Sequence, residues 1–166
     1  IKAVSLTGSE QAGIAVATEA GKHLKKCVLE LGGSNAFIIL EDANLDKAVA
    51  IAVNARMQNA GQSCIAAKRF LVHENIVEEF VAKLKVAIQN LKTGNPFDKE
   101  MQIGSLARVD LAEELEAQVQ KSIQMGADLI VGGTRKEAFY EPTILANVTT
   151  EMPVFNEETF GPVASI

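Results

Sequence analysis

The chain is poor in the residues that build metal and disulfide sites. Its 166 residues include only two cysteines, Cys27 and Cys64, and two histidines, His23 and His73. So few cysteines argue against a disulfide-stapled fold and fit a reducing, cytoplasmic compartment. The histidines lie on different segments, with no cysteine or aspartate at ligand spacing, so no metal site is expected. The lack of a plausible Cys–His pair also argues against a papain-type protease. Basic residues are in deficit: 16 Lys and Arg face 21 Asp and Glu, for a net charge of −5. With no basic stripe, neither nucleic acid nor an anionic membrane is an expected partner. No apolar run is long enough to span a bilayer. Internal repeats and low-complexity tracts are missing too.

What remains is an ordinary globular composition, 48% hydrophobic and 22% charged, at a length that supports a proper core. Ile1-Lys2-Ala3-Val4-Ser5-Leu6 reads as a strand already under way, with no initiator methionine or targeting segment. Gly161-Pro162-Val163-Ala164-Ser165-Ile166 stops as an apolar strand begins. The expectation is a piece of a longer chain.

Strand-like and helical patterns alternate. Residues 2–7 are extended and apolar, Gly8-Ser9 turns the chain, and residues 10–22 carry helical spacing. The start of that helix offers free N–H groups, which suits a phosphate. The pattern is neither a P-loop nor Gly-x-Gly-x-x-Gly, so a plain strand-to-helix turn stays open. Lys26 to Leu31 predicts a second strand parallel to the first, with Cys27 as a buried small hydrophobe. Ala36 to Leu40 is a third. Asp42 or Asn44 caps a helix whose apolar face runs from Leu45 to Met57, and Gly61 stops it. Residues 67–73 return as a strand. Asn75-x-x-Glu78 resembles a capping box before the core stripe of Val77, Phe80, Val81, Leu84, Ile88 and Leu91. Thr93 to Ala107 is a loop. A helix over 109–125 turns Leu111, Leu115, Val119, Ser122 and Ile123 inward and ends at Gly126. Ala127 to Val131 is a strand, 134–142 is a polar loop, Thr143 to Leu145 is extended, and 152–159 is irregular. Such alternation predicts an α/β fold with mostly parallel pairing.

The chemistry concentrates at Asn59-Ala60-Gly61-Gln62-Ser63-Cys64. There a thiol sits on a turn among small and polar residues. A free thiol is only about 3% ionised at pH 7, so a nucleophilic cysteine needs backbone donors, a positive field or a base. The Cys64 N–H could itself stabilise an oxyanion. Glu30, at a strand end before Gly32-Gly33, could activate a water as general base. A thiol for addition and a carboxylate for hydrolysis suit an acyl-enzyme route. A packed cysteine and a surface glutamate are the plain alternative.

Several motifs together resemble the aldehyde dehydrogenase superfamily. They are Glu30-Leu31-Gly32-Gly33, Asn59-x-Gly61-Gln62-x-Cys64 and Glu158-Thr159-Phe160-Gly161-Pro162-Val163. Thr7-Gly8-Ser9 with Gly13, and Gly94-Asn95-Pro96 with Ile103-Gly104, are similar as well. The run from Leu24 to Ser34, with Ala66-Ala67-Lys68-Arg69-Phe70, most resembles the bacterial succinate-semialdehyde dehydrogenases. The resemblance implies the end of a Rossmann-type cofactor domain over residues 1–33, then a three-layer α/β catalytic domain over 34–166, truncated at its C-terminal end. It implies oxidation of an aldehyde with NAD or NADP. Cys64 would be the nucleophile and Glu30 the base. Glu158 would hold the nicotinamide ribose, Phe160 would pack beside the ring, and Gly8 and Ser9 would meet the pyrophosphate. Leu31 and Gly32 would line the nicotinamide pocket. The full-length protein would be a homo-oligomer acting on a small aldehyde, succinate semialdehyde first among them. One branch of that group carries an arginine at the position of Gln58 and a second cysteine at that of Ala66, so a local disulfide switch is not expected. CoA-acylating or acyl-phosphate-reducing chemistry, and a nucleotide-binding module with an inert thiol, remain the alternatives.

Overall fold

The computed structural model describes residues 1–166. It divides into two compact units, Ile1–Gly33 and Ser34–Ile166.

In the first unit, β1 (Ala3–Thr7) pairs in parallel with β2 (Lys26–Glu30), and α1 (Glu10–Lys22) connects them. Ser9 caps α1, its hydroxyl accepting from the Ala12 N–H at 3.2 Å. Gly13 shows why a glycine lies inside this helix. A Cβ there would come within 2.7 Å of the Leu31 side chain, so the missing side chain lets helix and strand end approach. Little of this unit is buried: only Gly13 and Ala20 in α1. Cys27, expected inside, is only half-buried, because β2 alternates between exposed and half-buried positions.

The second unit is a five-stranded sheet in the order β3-β4-β9-β8-β5. Its strands are β3 (Asn35–Ile39), β4 (Ala67–Val72), β5 (Asp128–Val131), β8 (Thr143–Ala146) and β9 (Val163–Ser165). Pairing is parallel from β3 to β8 and antiparallel only between β5 and β8. The helices are α2 (Leu45–Met57), α3 (Val77–Gln89), α4 (Val109–Gln124) and the short α5 (Pro153–Asn156). Phe37, Phe70 and Phe80 stack in series and pin α3 to β3 and β4. Ser165 on β9 donates to the Val154 carbonyl, and the Val154 N–H donates to Ser122 on α4, which ties α4 and α5 to the sheet.

Several local expectations change. Asn44, not Asp42, caps α2, accepting from the Lys47 N–H at 3.0 Å. The helix ends at Met57, four residues before Gly61, because Asn59 and Ala60 already adopt left-handed backbone. No capping box forms at Asn75: its amide donates to Glu41 at 2.6 Å, and Ile76 becomes the uncapped first residue before α3. On α4 it is Ala112, Leu115, Val119 and Ser122 that are buried, so the inward face turns slightly from Leu111 and Ile123. The polar stretch 134–142 contains a hairpin of β6 (Arg135–Lys136) and β7 (Phe139–Tyr140). Arg135 anchors it to Glu116 on α4 at 2.7 Å.

Candidate active site

In the first unit, the candidate residues gather at the carboxyl ends of β1 and β2. The Gly8 N–H donates to the Glu30 carbonyl at 3.0 Å, so the turn and the carboxylate-bearing strand end are joined through backbone. Ser9 and the Glu30 side chain are exposed. Leu31 is half-buried against Gly13, and Gly32 follows it in the open. Ligands of parallel sheets gather at this edge, where helix N-termini present N–H groups. Glu10 in the first turn of α1 already interacts favourably with that helix end.

In the second unit, the candidates lie before the amino ends of its strands β4 and β9. Asn59 (φ 55°, ψ 37°), Ala60 (φ 52°, ψ 34°) and Gly61 (φ 74°) form a left-handed run. For non-glycine residues this backbone costs roughly 1–2 kcal/mol each, so the surroundings must hold it. The Asn59 amide donates to the Gln62 carbonyl at 3.0 Å, and the Gln62 amide donates back to the Asn59 carbonyl at 3.1 Å. Gln62 Oε1 also accepts from the Ala107 N–H at 2.9 Å, which fastens the turn to the end of the long loop. Cys64 emerges from this arrangement exposed. Its N–H donates to no backbone carbonyl of the unit, so it is free to serve as an oxyanion donor.

Two fully buried cations hold the carbonyls of the turn. Arg56 donates through Nη2 to the Gly61 carbonyl at 2.5 Å, while its Nε and Nη1 have no acceptor. Burial pushes this guanidinium down to about 10, and the charge of Glu158 pulls it partly back. It therefore stays a cation at neutral pH. Lys68 donates to the Ser63 carbonyl at 3.0 Å and the Cys64 carbonyl at 2.9 Å. Its ammonium also lies 3.0 Å from Glu158 Oε1, with the lysine side chain 0% and the glutamate side chain 25% exposed. That third contact is an ion pair and not an aligned hydrogen bond, since Oε1 receives no donor of suitable geometry. Gln118 on α4 holds the same segment, donating to Glu157 Oε2 at 2.8 Å and to the Glu158 carbonyl at 3.3 Å.

The thiol turn and the Glu158 segment also meet backbone to backbone. A Cβ on Gly61 would stand 2.2 Å from the Gly161 carbonyl oxygen, and one on Gly161 would stand 2.3 Å from Leu115. Two motifs that are distant in sequence thus share one packing contact that only glycine permits. Phe160 keeps its ring partly in solvent, at 38% exposure. Within this unit the structure therefore brings together Cys64, Glu158 and the glycines beside them. Glu30, Gly8, Ser9, Leu31 and Gly32 are assembled within the other unit.

Sequence reading missed Arg56 and Lys68. The signals were present. Arg56 falls four residues after Ala52 and seven after Val49, on the buried stripe of α2. Lys68 lies between Ala67 and Phe70 in a strand whose flanks are buried. A charge in such a place demands partners.

The whole chain, residues 1–166, matches the model of the aldehyde dehydrogenase family. It is 52% identical over 169 residues to a succinate semialdehyde dehydrogenase [NAD(P)+] of Escherichia coli K12, spanning 100% of this chain and 37% of that protein. A succinate-semialdehyde dehydrogenase [NADP(+)] of Deinococcus radiodurans is 47% identical, over 100% of this chain and 35% of that one. Among solved structures, a succinate-semialdehyde dehydrogenase from Burkholderia pseudomallei superposes with a TM-score of 0.95 at 36% identity, over 99% of this chain and 35% of its own. The chain thus spans little more than a third of the length of these relatives. Matched along its entire length, and with the fold that the match requires, the chain belongs to the aldehyde dehydrogenase family.

Proposed function

We propose that this chain carries the thiol-bearing part, and part of the cofactor site, of an enzyme that oxidises an aldehyde to its acid with NAD(P)+. Succinate semialdehyde is the proposed substrate, on the strength of the relatives' names. Residues 1–33 are read as the end of the cofactor domain and 34–166 as catalytic domain. The observation that carries the reading is an exposed Cys64 on a left-handed turn whose carbonyls are held by buried Arg56 and Lys68.

The Cys64 sulfur adds to the aldehyde carbon, giving a thiohemiacetal whose oxygen the Cys64 N–H can stabilise. When bound, NAD(P)+ supplies the hydride acceptor that lets this adduct become a thioester. Glu30 takes a proton from water as that water attacks the thioester, releasing the acid and the thiol. The residues suit such a cofactor. Gly8 and Ser9 sit at a helix N-terminus, where N–H groups favour a pyrophosphate. Glu158 is tethered on one oxygen and a quarter open, as a carboxylate that accepts from ribose hydroxyls should be. Leu31, Gly32 and Phe160 supply apolar and close-approach surface for the nicotinamide. Arg56 and Lys68 are both internal and committed to carbonyls of the turn, so neither is available to a substrate carboxylate. That recognition falls to other residues. The full-length protein is proposed to be a cytoplasmic homo-oligomer, as the family resemblance implies.

The test is the full-length protein with Cys64→Ser. Aldehyde-dependent NAD(P)H production should fall by on the order of a thousandfold or more. Oxidation at the wild-type rate would overturn the reading.

A further inference from the structure

Lys68 has no part in the chemistry just described, yet it touches both halves of it. A lysine ammonium has three protons and no acceptor capacity. Here it faces three oxygens: the carbonyls of Ser63 and Cys64 at 3.0 and 2.9 Å, and Glu158 Oε1 at 3.0 Å. Its side chain is 0% exposed, so water does not share these contacts. Burying an ammonium is unfavourable unless each proton finds a partner, and an apolar residue of the same length would pack here without needing one. The site is therefore built around the charge.

The two carbonyls belong to the thiol-bearing residue and the one before it. The carboxylate belongs to a segment that arrives much later in the chain and is fixed independently, by Gln118 on its backbone. The carbonyl contacts are hydrogen bonds, whereas the Glu158 contact is an ion pair without hydrogen-bond alignment. Such a contact restrains where the carboxylate sits; Oε1 is itself buried, so it is the other oxygen of this quarter-exposed side chain that is left for another donor. A vicinal diol, such as that of a ribose, is a donor of that kind.

We propose that Lys68 is a positioning residue that holds the Glu158 carboxylate and the Cys64 backbone at a fixed mutual distance, coupling the hold on the cofactor ribose to the placement of the thiol. This rests on the reading of Glu158 and Cys64 given above. Lys68 touches neither substrate nor cofactor. It acts through the two groups that do.

The experiment uses the full-length enzyme as wild type, Lys68→Met, Glu158→Gln, the double variant and Cys64→Ser. NADH and NADPH binding is read by nicotinamide fluorescence, and Cys64 alkylation by iodoacetamide is timed with and without cofactor. Lys68→Met and Glu158→Gln should each weaken cofactor binding about tenfold, and the double variant should be no weaker than either alone. Any change in Cys64 alkylation on cofactor binding should be lost in all three. A merely structural lysine would lower thermal stability and leave cofactor affinity and its non-additivity with Glu158→Gln unmoved. Cofactor affinity within twofold of wild type in Lys68→Met, or additive losses in the double variant, would overturn the proposal. Should Lys68→Met fail to fold, the double variant, which removes both charges, decides: binding equal to Glu158→Gln supports the coupling, and weaker binding refutes it. Should Cys64→Ser keep full activity, the functional reading fails whatever Lys68 does. A dead Cys64→Ser with a silent Lys68→Met removes this inference alone.

Discussion

The two units place their candidate residues at opposite ends of their strands. Gly8, Ser9 and Glu30 sit at the carboxyl ends of β1 and β2, where α1 begins. Cys64 and Glu158 sit before the amino ends of β4 and β9, where α2 and the short α5 respectively have just finished. The ends of a helix carry opposite partial charge. At a helix start, N–H groups are already available and little else is needed, so one serine cap suffices. At a helix end, carbonyls accumulate and the partial charge is negative, which opposes an anionic sulfur. The second unit answers with a left-handed reversal and with two buried cations turned onto the carbonyls of the turn. A site at the favoured end can be simple. One at the disfavoured end must be constructed.

That contrast orders a set of substitutions in the full-length protein. The largest loss of stability should follow Lys68→Met, about 3–5 kcal/mol, because it leaves a partly buried carboxylate and two carbonyls without their cation. Thermal unfolding would show it, and a shift near zero would mean that the site is less constructed than it looks. Gly61→Ala comes next, at about 3 kcal/mol, since its Cβ meets a backbone oxygen that cannot yield and its φ is positive. Ser9→Ala, at the simple site, should cost about 1 kcal/mol, the usual value of a helix cap. A Ser9→Ala effect equal to that of Gly61→Ala would break the comparison. The smallest effect lies away from both sites. The Arg108 side chain, hydrogen-bonded to Asp110, holds that carboxyl below its ordinary value. A depressed carboxyl contributes stability above its unfolded pKa and loses it as pH falls through the folded one. Wild type should therefore exceed Asp110→Asn slightly at neutral pH, with the gap closing as pH drops below about 4.

Periodicity carried most of the fold. The stripe on α3 and the apolar runs of β1 to β4 are dictated by which face must leave water and stand where the sequence places them, while the face of α4 is turned slightly from its expected stripe. Local rules failed where a distant partner competed. Asn75 has the right neighbours for a capping box, but Glu41 takes its amide. Gly61 looks like a helix stop, yet the reversal begins at Asn59 because the Asn59 and Gln62 side chains each bond the other's carbonyl across three residues, and Arg56 holds the Gly61 carbonyl. Ala127 to Val131 reads as a strand, but its antiparallel pairing with β8 is not written in a run of apolar residues. For the candidate site, the motifs named Cys64, Glu30 and Glu158. The lysine that joins two of them does not stand out from the run Ala66-Ala67-Lys68-Arg69-Phe70, because a single charge in a strand reads as surface until the strand is known to be central.

The Gly61–Gly161 contact also sets an order of events. Residues 58–64 do not settle into their reversed backbone from local interactions alone, since the Gly161 carbonyl that closes on Gly61 lies 100 residues further along the chain (161 − 61). Closing a loop of that length is entropically slow compared with forming α2 or α3. During synthesis, which proceeds from the N-terminus, the helices can be present well before residue 161 arrives. The thiol therefore reaches its final geometry after the helices beside it, and through that interval it is an ordinary, unrestrained cysteine.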